Sequence, residues 1–199
     1  MSEISISGST GVTGLILAGG LARRMGGGDK GLRHFRGKAM VAHAIARLAP
    51  QVDALIINAN QNYEAYEAFG HPVIADAVTG YAGPLAGLHA GLGACATPLL
   101  LTVPCDSPFL PLDLVGRLHA ALMSTGAQLA VAQTGGRTQP VFALCRRDLL
   151  EHLTAYLSGG GRKVDAWYAA LDVVEVPFED EAAFANINTP EELERLESI

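Results

Sequence analysis

Short apolar runs alternate with segments of helical periodicity over the first two thirds of this chain. Continuous apolar runs at 12–18, 54–59, 73–75 and 98–103 predict strands that are buried on both faces. Apolar residues recur with helical spacing at 39–48, 63–69, 85–95 and 112–123. Strands that alternate with helices in this way are typical of an α/β fold with a mostly parallel sheet and helices on both faces.

The last third of the chain predicts an antiparallel element beside the parallel strands. Strands are expected at 128–132 and 141–145, and Gly135-Gly136 between them favours a hairpin turn. Helices are expected at 148–157 and 162–170, a strand at 172–176, and a last helix that begins near Thr189-Pro190. We expect residues 1–11 to form a mobile tail and residues 12–199 to form a single domain.

The loop after the first strand carries the clearest indication of chemistry. It contains five glycines between Gly19 and Gly28, together with Arg23, Arg24 and Lys30. Glycines let backbone N–H groups approach phosphate oxygens closely, and the basic side chains supply charge-assisted donors to the same anion. The loop is therefore predicted to bind a triphosphate.

Two familiar phosphate-binding motifs do not fit this loop. Gly26, Gly28 and Gly31 match GxGxxG, but they begin well after the strand ends, and the next strand lacks the acidic residue that a dinucleotide site needs. The pattern GxxxxGK[ST] also fails, because Gly37-Lys38 is followed by Ala39. The predicted phosphate site is of another kind.

Polar residues follow the ends of several predicted strands. The segment 17–20, Asn58, Asp76 and Asp106 each come directly after an apolar run. In open parallel sheets, ligands bind beyond the carboxyl ends of the strands, so these residues are expected to meet in one crevice. Asp106 could instead cap a helix that begins near Pro111, and the pattern alone does not decide between the two roles.

Charge and composition exclude several classes of protein. The net charge of −6 argues against general nucleic-acid binding. No apolar stretch approaches the ~18 residues that span a bilayer, and no signal region is evident, so we expect a cytoplasmic protein without a membrane partner. The three cysteines lack metal-site spacing and the six histidines are dispersed, so both are interpreted as packing or surface residues.

A set of short motifs, in one order along nearly the whole chain, resembles a known family. The motifs are Leu17-Ala-Gly-Gly20, Arg23-Arg-Met-Gly26, Asp29-Lys-Gly31, Asn58-Ala-Asn60, Asp76, Gly83-Pro-Leu-Ala-Gly87, Pro104-Cys-Asp-Ser-Pro108, Gln139-Pro140 and Asn186-Ile-Asn-Thr-Pro190. They resemble the nucleotidyltransferases and, among these, the molybdenum cofactor guanylyltransferases. The resemblance implies a Rossmann-like nucleotidyltransferase fold. It also implies transfer of GMP from GTP to the terminal phosphate of molybdenum-bound molybdopterin, with release of pyrophosphate.

The same resemblance implies roles for individual residues. Lys30, Asp106 and one of the arginines, Arg24 or Arg23, would act on the phosphates, with Asp106 binding Mg²⁺. Asn186 and Asn188 would face molybdopterin, although they could instead cap the last helix. Asp29 could hold Lys30 or a backbone N–H, or be a solvated turn residue. The implied GTP site consists of Leu17, Ala18, Gly19, Gly20, Lys30, Asn58, Asp76 and Asp106.

Other functions remain compatible with the motifs. The protein could be a molybdopterin cytidylyltransferase or a sugar-phosphate nucleotidyltransferase, or a non-catalytic GTP-binding or partner-docking protein of the same fold. Cytidylyltransferase relatives tend to carry alanine at the place of Gly19, which favours guanine. The implied partners are GTP, molybdenum-molybdopterin, and proteins that deliver molybdopterin or accept the finished cofactor. Gly80 departs from the family pattern and leaves the acceptor loop less defined.

Overall fold

A computed structural model of the protein describes residues 10–18, 29–78 and 83–197. The predicted site residues Gly19, Gly20, Arg23 and Arg24 lie outside these ranges, as do Gly80 and residues 1–9 of the predicted tail. Thr10 is described, and its backbone N–H donates a hydrogen bond of 3.1 Å to Asp53 Oδ1.

Seven strands of the described residues form one sheet, in the spatial order β5-β4-β1-β6-β8-β7-β9. Strand β8 runs antiparallel to its neighbours β6 and β7, and the other neighbouring pairs are parallel. This arrangement confirms the predicted mostly parallel sheet with an antiparallel element. The strands are β1 (Val12–Leu17), β4 (Ala54–Asn58), β5 (Val73–Ile74), β6 (Leu99–Pro104), β7 (Leu129–Thr134), β8 (Arg137–Arg146) and β9 (Val173–Pro177).

Helices cover both faces of this sheet. The described helices are α1 (Met40–Leu48), α2 (Tyr63–Glu67), α3 (Pro84–Ala94), α4 (Leu114–Thr125), α5 (Leu150–Ser158), α6 (Val164–Tyr168) and α7 (Pro190–Glu197). Apolar residues of α1 and α4 pack in one core cluster, whereas those of α3 and α5 pack in another. Leu15 and Ile16, consecutive on β1, lie in different clusters because successive strand residues point to opposite faces. The predicted two-sided coverage is confirmed.

Two turns depend on backbone conformations with positive φ. Gly135 and Gly136 join β7 to β8 with φ values of +53° and +75°, which suits a two-residue hairpin and confirms that prediction. A second, unpredicted hairpin joins β2 (His34–Phe35) to β3 (Lys38–Ala39) through Arg36 and Gly37, with φ values of +49° and +76°. Its strands have two residues each and mix polar with apolar residues, so no apolar run indicates them.

The cysteines are buried packing residues, as predicted. Cys95, Cys105 and Cys145 are free thiols in the core. Burial raises the pKa of the Cys105 and Cys145 thiols well above the usual range, and the neighbouring carboxylate of Asp106 adds to the shift at Cys105. Neither thiol is therefore an activated nucleophile.

Within the described residues, no helix has both the length and the apolar character that a membrane span requires.

Candidate active site

The carboxyl ends of β4, β1 and β6 lie side by side, as the sequence pattern predicted. Leu17, the last residue of β1, is in register with Asn58 of β4 on one side and Pro104 of β6 on the other. Backbone hydrogen bonds join β1 to both neighbouring strands at this end. Ala18 donates its N–H to the carbonyl of Asn58 at 2.8 Å, and Cys105 donates its N–H to the carbonyl of Leu17 at 3.1 Å. Residues that follow these strands therefore flank one edge of the sheet.

On the β4 side of this edge, Asn58 and Asp76 are bonded to each other. The buried Asn58 donates from Nδ2 to Asp76 Oδ1 at 3.0 Å and to the Ile74 carbonyl at 3.3 Å. Asn60 donates to Asp76 Oδ2 at 2.8 Å and accepts from the Asp76 N–H at 2.9 Å. Gly87 of α3 lies so close to Asn58 that an added Cβ would clash with its Oδ1. These contacts hold an amide and a carboxylate in fixed positions.

On the β6 side, Lys30 joins Asp106 and Asn188. Its Nζ forms an ion pair with Asp106 Oδ2 and donates to Asn188 Oδ1 at 2.6 Å. The side chains of Lys30 and Asp106 are 13% and 11% exposed, so the pair is partly shielded from water. Three segments that are far apart in sequence thus meet beyond the end of β6.

Asp106 keeps one carboxylate oxygen available. Its Oδ1 is buried and has no hydrogen-bond partner among the described residues. Helix α4 begins at Leu114 and its N-cap position is Asp113, so Asp106 does not cap that helix and this alternative is excluded. An unpartnered buried carboxylate oxygen is a costly arrangement that a cation would relieve. The described residues contain no group of three or more His, Cys, Asp or Glu side chains suited to a metal.

The segment with Asn186 and Asn188 packs across the turn after β6. Ile187 is buried against Phe35 and Met40, and its N–H donates to the Asp106 carbonyl at 3.0 Å. The two flanking asparagines point to the other side, where Asn186 Oδ1 accepts from Ser107 Oγ and Asn188 Oδ1 accepts from Lys30. The sequence pattern had no signal for the contribution of Ser107.

A capping box, rather than an asparagine side chain, begins α7. The Glu192 N–H donates to Thr189 Oγ1 at 3.2 Å, and Glu192 Oε2 accepts from the Thr189 N–H at 3.2 Å and from the Asn188 N–H at 2.7 Å. This reciprocal arrangement satisfies the free N–H groups at the helix start. The side chains of Asn186 and Asn188 are therefore not used as helix caps.

Asp29 is a buried residue and not a solvated turn residue. Its Oδ1 accepts from the N–H of Gly31 at 3.1 Å, which was one of the roles left open by the sequence. It also accepts from Asn62 and Tyr66, two residues that the sequence pattern did not point to. The pattern at 63–69 predicts only a helix and gives Tyr66 no individual role.

The comparisons with known proteins agree on one family. The family model of the MobA-like NTP transferase domain matches residues 14–173. A molybdenum cofactor guanylyltransferase of Cupriavidus taiwanensis is 58% identical over 187 residues, which cover 92% of this chain and 94% of that protein. One from Ralstonia nicotianae is 56% identical over 194 residues, with 93% and 95% covered.

A solved structure supports the same fold. The crystal structure of molybdopterin-guanine dinucleotide biosynthesis protein A from Archaeoglobus fulgidus superposes with a TM-score of 0.78 at 23% identity, covering 94% of this chain and 97% of that one. At this identity the likeness concerns the fold, and the closer sequence relatives decide the family. The chain belongs to the MobA-like NTP transferase family and, within it, to the molybdenum cofactor guanylyltransferases.

Proposed function

We propose that the protein transfers GMP from GTP to the terminal phosphate of molybdenum-bound molybdopterin, with release of pyrophosphate. The observation that carries this proposal is the Lys30–Asp106 pair at the end of β6, whose second carboxylate oxygen has no partner in the described part of the chain. The family supplies the reaction, because its relatives at 50% identity or more are named molybdenum cofactor guanylyltransferases.

Lys30 would balance phosphate charge. In nucleotidyl transfer the acceptor attacks the α-phosphorus and pyrophosphate departs, so negative charge has to be stabilised at both groups. The Lys30 ammonium lies beyond the strand ends, where a triphosphate would enter the crevice, and Asp106 and Asn188 hold it there. Arg24 or Arg23 would add a second positive charge from the glycine-rich loop. The attacking phosphate is itself an anion, so the reaction does not require a strong general base.

Asp106 is the residue that would hold Mg²⁺. Its Oδ1 is buried and has no partner within residues 10–18, 29–78 and 83–197. Mg²⁺ binds through one or two carboxylates, while substrate phosphates and waters complete its coordination. When bound, the ion would neutralise charge on the phosphate oxygens. Lys30 occupies only Oδ2, so one carboxylate can serve both cations.

Asn58 and Asp76 would contact the nucleoside of GTP. The Asn58 amide and the Asp76 carboxylate are fixed by each other and by Asn60, at the strand end next to β1. Carboxylate and amide oxygens accept hydrogen bonds from ribose hydroxyls or from guanine N–H groups. The end of β1, with Leu17 and Ala18, lies between this pair and Lys30. A nucleotide that lay across it would face the pair on the β4 side and Lys30 on the β6 side.

The two asparagines are expected to have different effects when replaced. Asn186→Ala should impair molybdopterin use and leave the affinity for GTP within about twofold, because its side chain contacts Ser107 and not Lys30. Asn188→Ala should impair both molybdopterin use and the affinity for GTP, since it also removes a hydrogen bond to the charged Lys30, worth about 1.5–3 kcal/mol. Titration calorimetry with GTP, alongside steady-state kinetics with molybdopterin, measures both effects. Loss of GTP binding in a folded Asn186→Ala variant would contradict the assignment of this residue to the acceptor.

Guanine is expected to be preferred over cytosine and adenine by about a hundredfold, since two unpaired buried polar groups cost ~1–3 kcal/mol each. Guanine offers N1–H and N2–H₂ donors and an O6 acceptor, a pattern that neither other base matches. Pyrophosphate release, measured with each nucleotide in the presence and absence of molybdopterin, tests this preference and the reaction together. Equal use of CTP would exclude a guanine site but keep a nucleotidyltransferase. Absence of release with every nucleotide would favour a non-catalytic GTP-binding protein.

A further inference from the structure

A second hydrogen-bonded cluster lies under Lys30 and has no role in the mechanism above. Its centre is the carboxylate of Asp29, which is 8% exposed. Oδ1 accepts from the Tyr66 hydroxyl and from the Gly31 N–H at 3.1 Å, and Oδ2 accepts from Asn62 Nδ2 at 3.1 Å. A buried carboxylate that accepts from three donors is held in one position, because movement away from any donor would leave its negative charge less compensated.

Tyr66 is the buried member of this cluster. It is fully buried on α2, and a Cβ added to Gly31 would lie 2.5 Å from its hydroxyl oxygen and 3.2 Å from Cys105 Sγ. The Lys30 segment is therefore packed directly against the Tyr66 hydroxyl and the residue before Asp106. Burial, together with the neighbouring Cys105 and Asp29, raises the pKa of Tyr66 well above its usual range, so the hydroxyl stays a proton donor.

The backbone around Lys30 is fixed on both sides of this contact. The Gly31 carbonyl accepts from the N–H of Val41 at 2.9 Å, and the Lys30 carbonyl accepts from the N–H of Arg33 at 3.3 Å. The lysine side chain itself is long and rotatable, so the position of its ammonium depends on where its backbone is held. The anchor nearest to Lys30 in sequence is Asp29, whose own position depends on Tyr66 and Asn62.

We propose that Tyr66 is a positioning residue that acts on Lys30 through Asp29. The proposal rests on the proposed function, in which Lys30 binds the phosphates of GTP. Helix α2 joins β4 to β5, the strands whose ends carry Asn58 and Asp76. The Tyr66–Asp29 hydrogen bond thus connects the nucleoside side of the crevice to its phosphate side. It fixes the distance between the two parts of one nucleotide site.

The test compares Tyr66→Phe with Tyr63→Phe. Both variants lose one hydroxyl from α2, but Tyr63 is 42% exposed and serves as the matched control. Acetic anhydride labelling without substrate, read by mass spectrometry, compares Lys30 with Lys38 and Lys163, the other two lysines of the chain. Lys38 and Lys163 are exposed in the folded protein, so their labelling corrects for differences in reagent dose between samples.

In Tyr66→Phe we expect labelling of Lys30 to rise about fivefold relative to both reference lysines, and kcat to fall about tenfold with the KM for GTP within about threefold. The larger effect falls on kcat because a displaced ammonium binds the ground state nearly as well but fits the transition state poorly. Tyr63→Phe should match the wild-type protein in every measurement.

Asn62→Gly is the second variant, in case Tyr66→Phe does not fold. Asn62 is exposed with a φ of +55°, so glycine keeps its conformation and removes only the donor to Asp29. It should change Lys30 labelling and kcat in the same direction, by about two- to threefold. Unchanged Lys30 labelling in the folded Tyr66→Phe variant, or an equal rise of Lys30 labelling in Tyr63→Phe, would overturn the positioning role. The labelling contrast requires no substrate, so it is decided separately from whether wild-type protein uses GTP.

Discussion

Asp106→Asn is expected to lower GMP transfer by about three orders of magnitude while leaving the fold intact, since several kcal/mol of charge stabilisation would be lost. Asparagine retains an oxygen that can accept from Lys30, so the change mainly removes negative charge. The unpartnered Oδ1 of Asp106 is the described atom best suited to a cation, and its loss should weaken Mg²⁺ binding. Product formation at saturating GTP and the Mg²⁺ dependence of the rate measure the effect.

Asp113→Asn is the control for this variant. Asp113 follows in the same connection between β6 and α4, and its exposed carboxylate is 3.8 Å from Arg117. A surface pair of this kind contributes about 0–1 kcal/mol, so the control should have nearly wild-type activity and stability. Near-normal transfer by folded Asp106→Asn, with an unchanged Mg²⁺ requirement, would show that the metal is held elsewhere.

Lys30→Ala is expected to reduce kcat/KM for GTP by about a hundredfold, as removal of one positioned donor from a developing charge does in other enzymes. The variant loses the ammonium that Asp106 and Asn188 hold beyond β6. It also leaves Asp106 without its cation, so the free energy of unfolding should fall as well. Calorimetry with GTP and thermal unfolding should both be measured, in the presence and absence of Mg²⁺.

Lys38→Ala provides the comparison for Lys30→Ala. Lys38 is exposed on β3, eight residues further along the chain, and its replacement removes the same charge from another place. GTP use by this variant should stay within about twofold of the wild-type protein, because an exposed distant charge is screened. If both lysine variants lost GTP binding to the same extent, general electrostatic attraction would explain the effect, and a specific role for Lys30 would be wrong.

The fold was predictable because its signals are local. Each of the four apolar runs from 12–18 to 98–103 indicates a strand by itself. The double glycine at 135–136 indicates the turn between β7 and β8. The hairpin at 34–39 was not predictable, because its two-residue strands mix polar with apolar residues, whereas the equally short β5 belongs to an apolar run. Strand β8 begins at Arg137 and not at 141, since pairing starts directly after the turn.

Residue types and their order along the chain are enough to identify the family and to predict which polar residues follow the strand ends. The order of motifs identified a nucleotidyltransferase, and the rule for parallel sheets placed Asn58, Asp76 and Asp106 at the carboxyl ends of β4, β5 and β6. Both inferences depend on residue type and chain order, which the sequence contains.

The contacts between these side chains could not be predicted without the folded structure. Lys30, Asp106 and Asn188 are separated by more than seventy residues at each step, and no local pattern encodes their hydrogen bonds. The same holds for Tyr66, for which the sequence predicts only a place in a helix, while its hydroxyl donates to Asp29. These residues are far apart in sequence, so their contacts depend on how the strands are ordered in the sheet and how the helices pack on it.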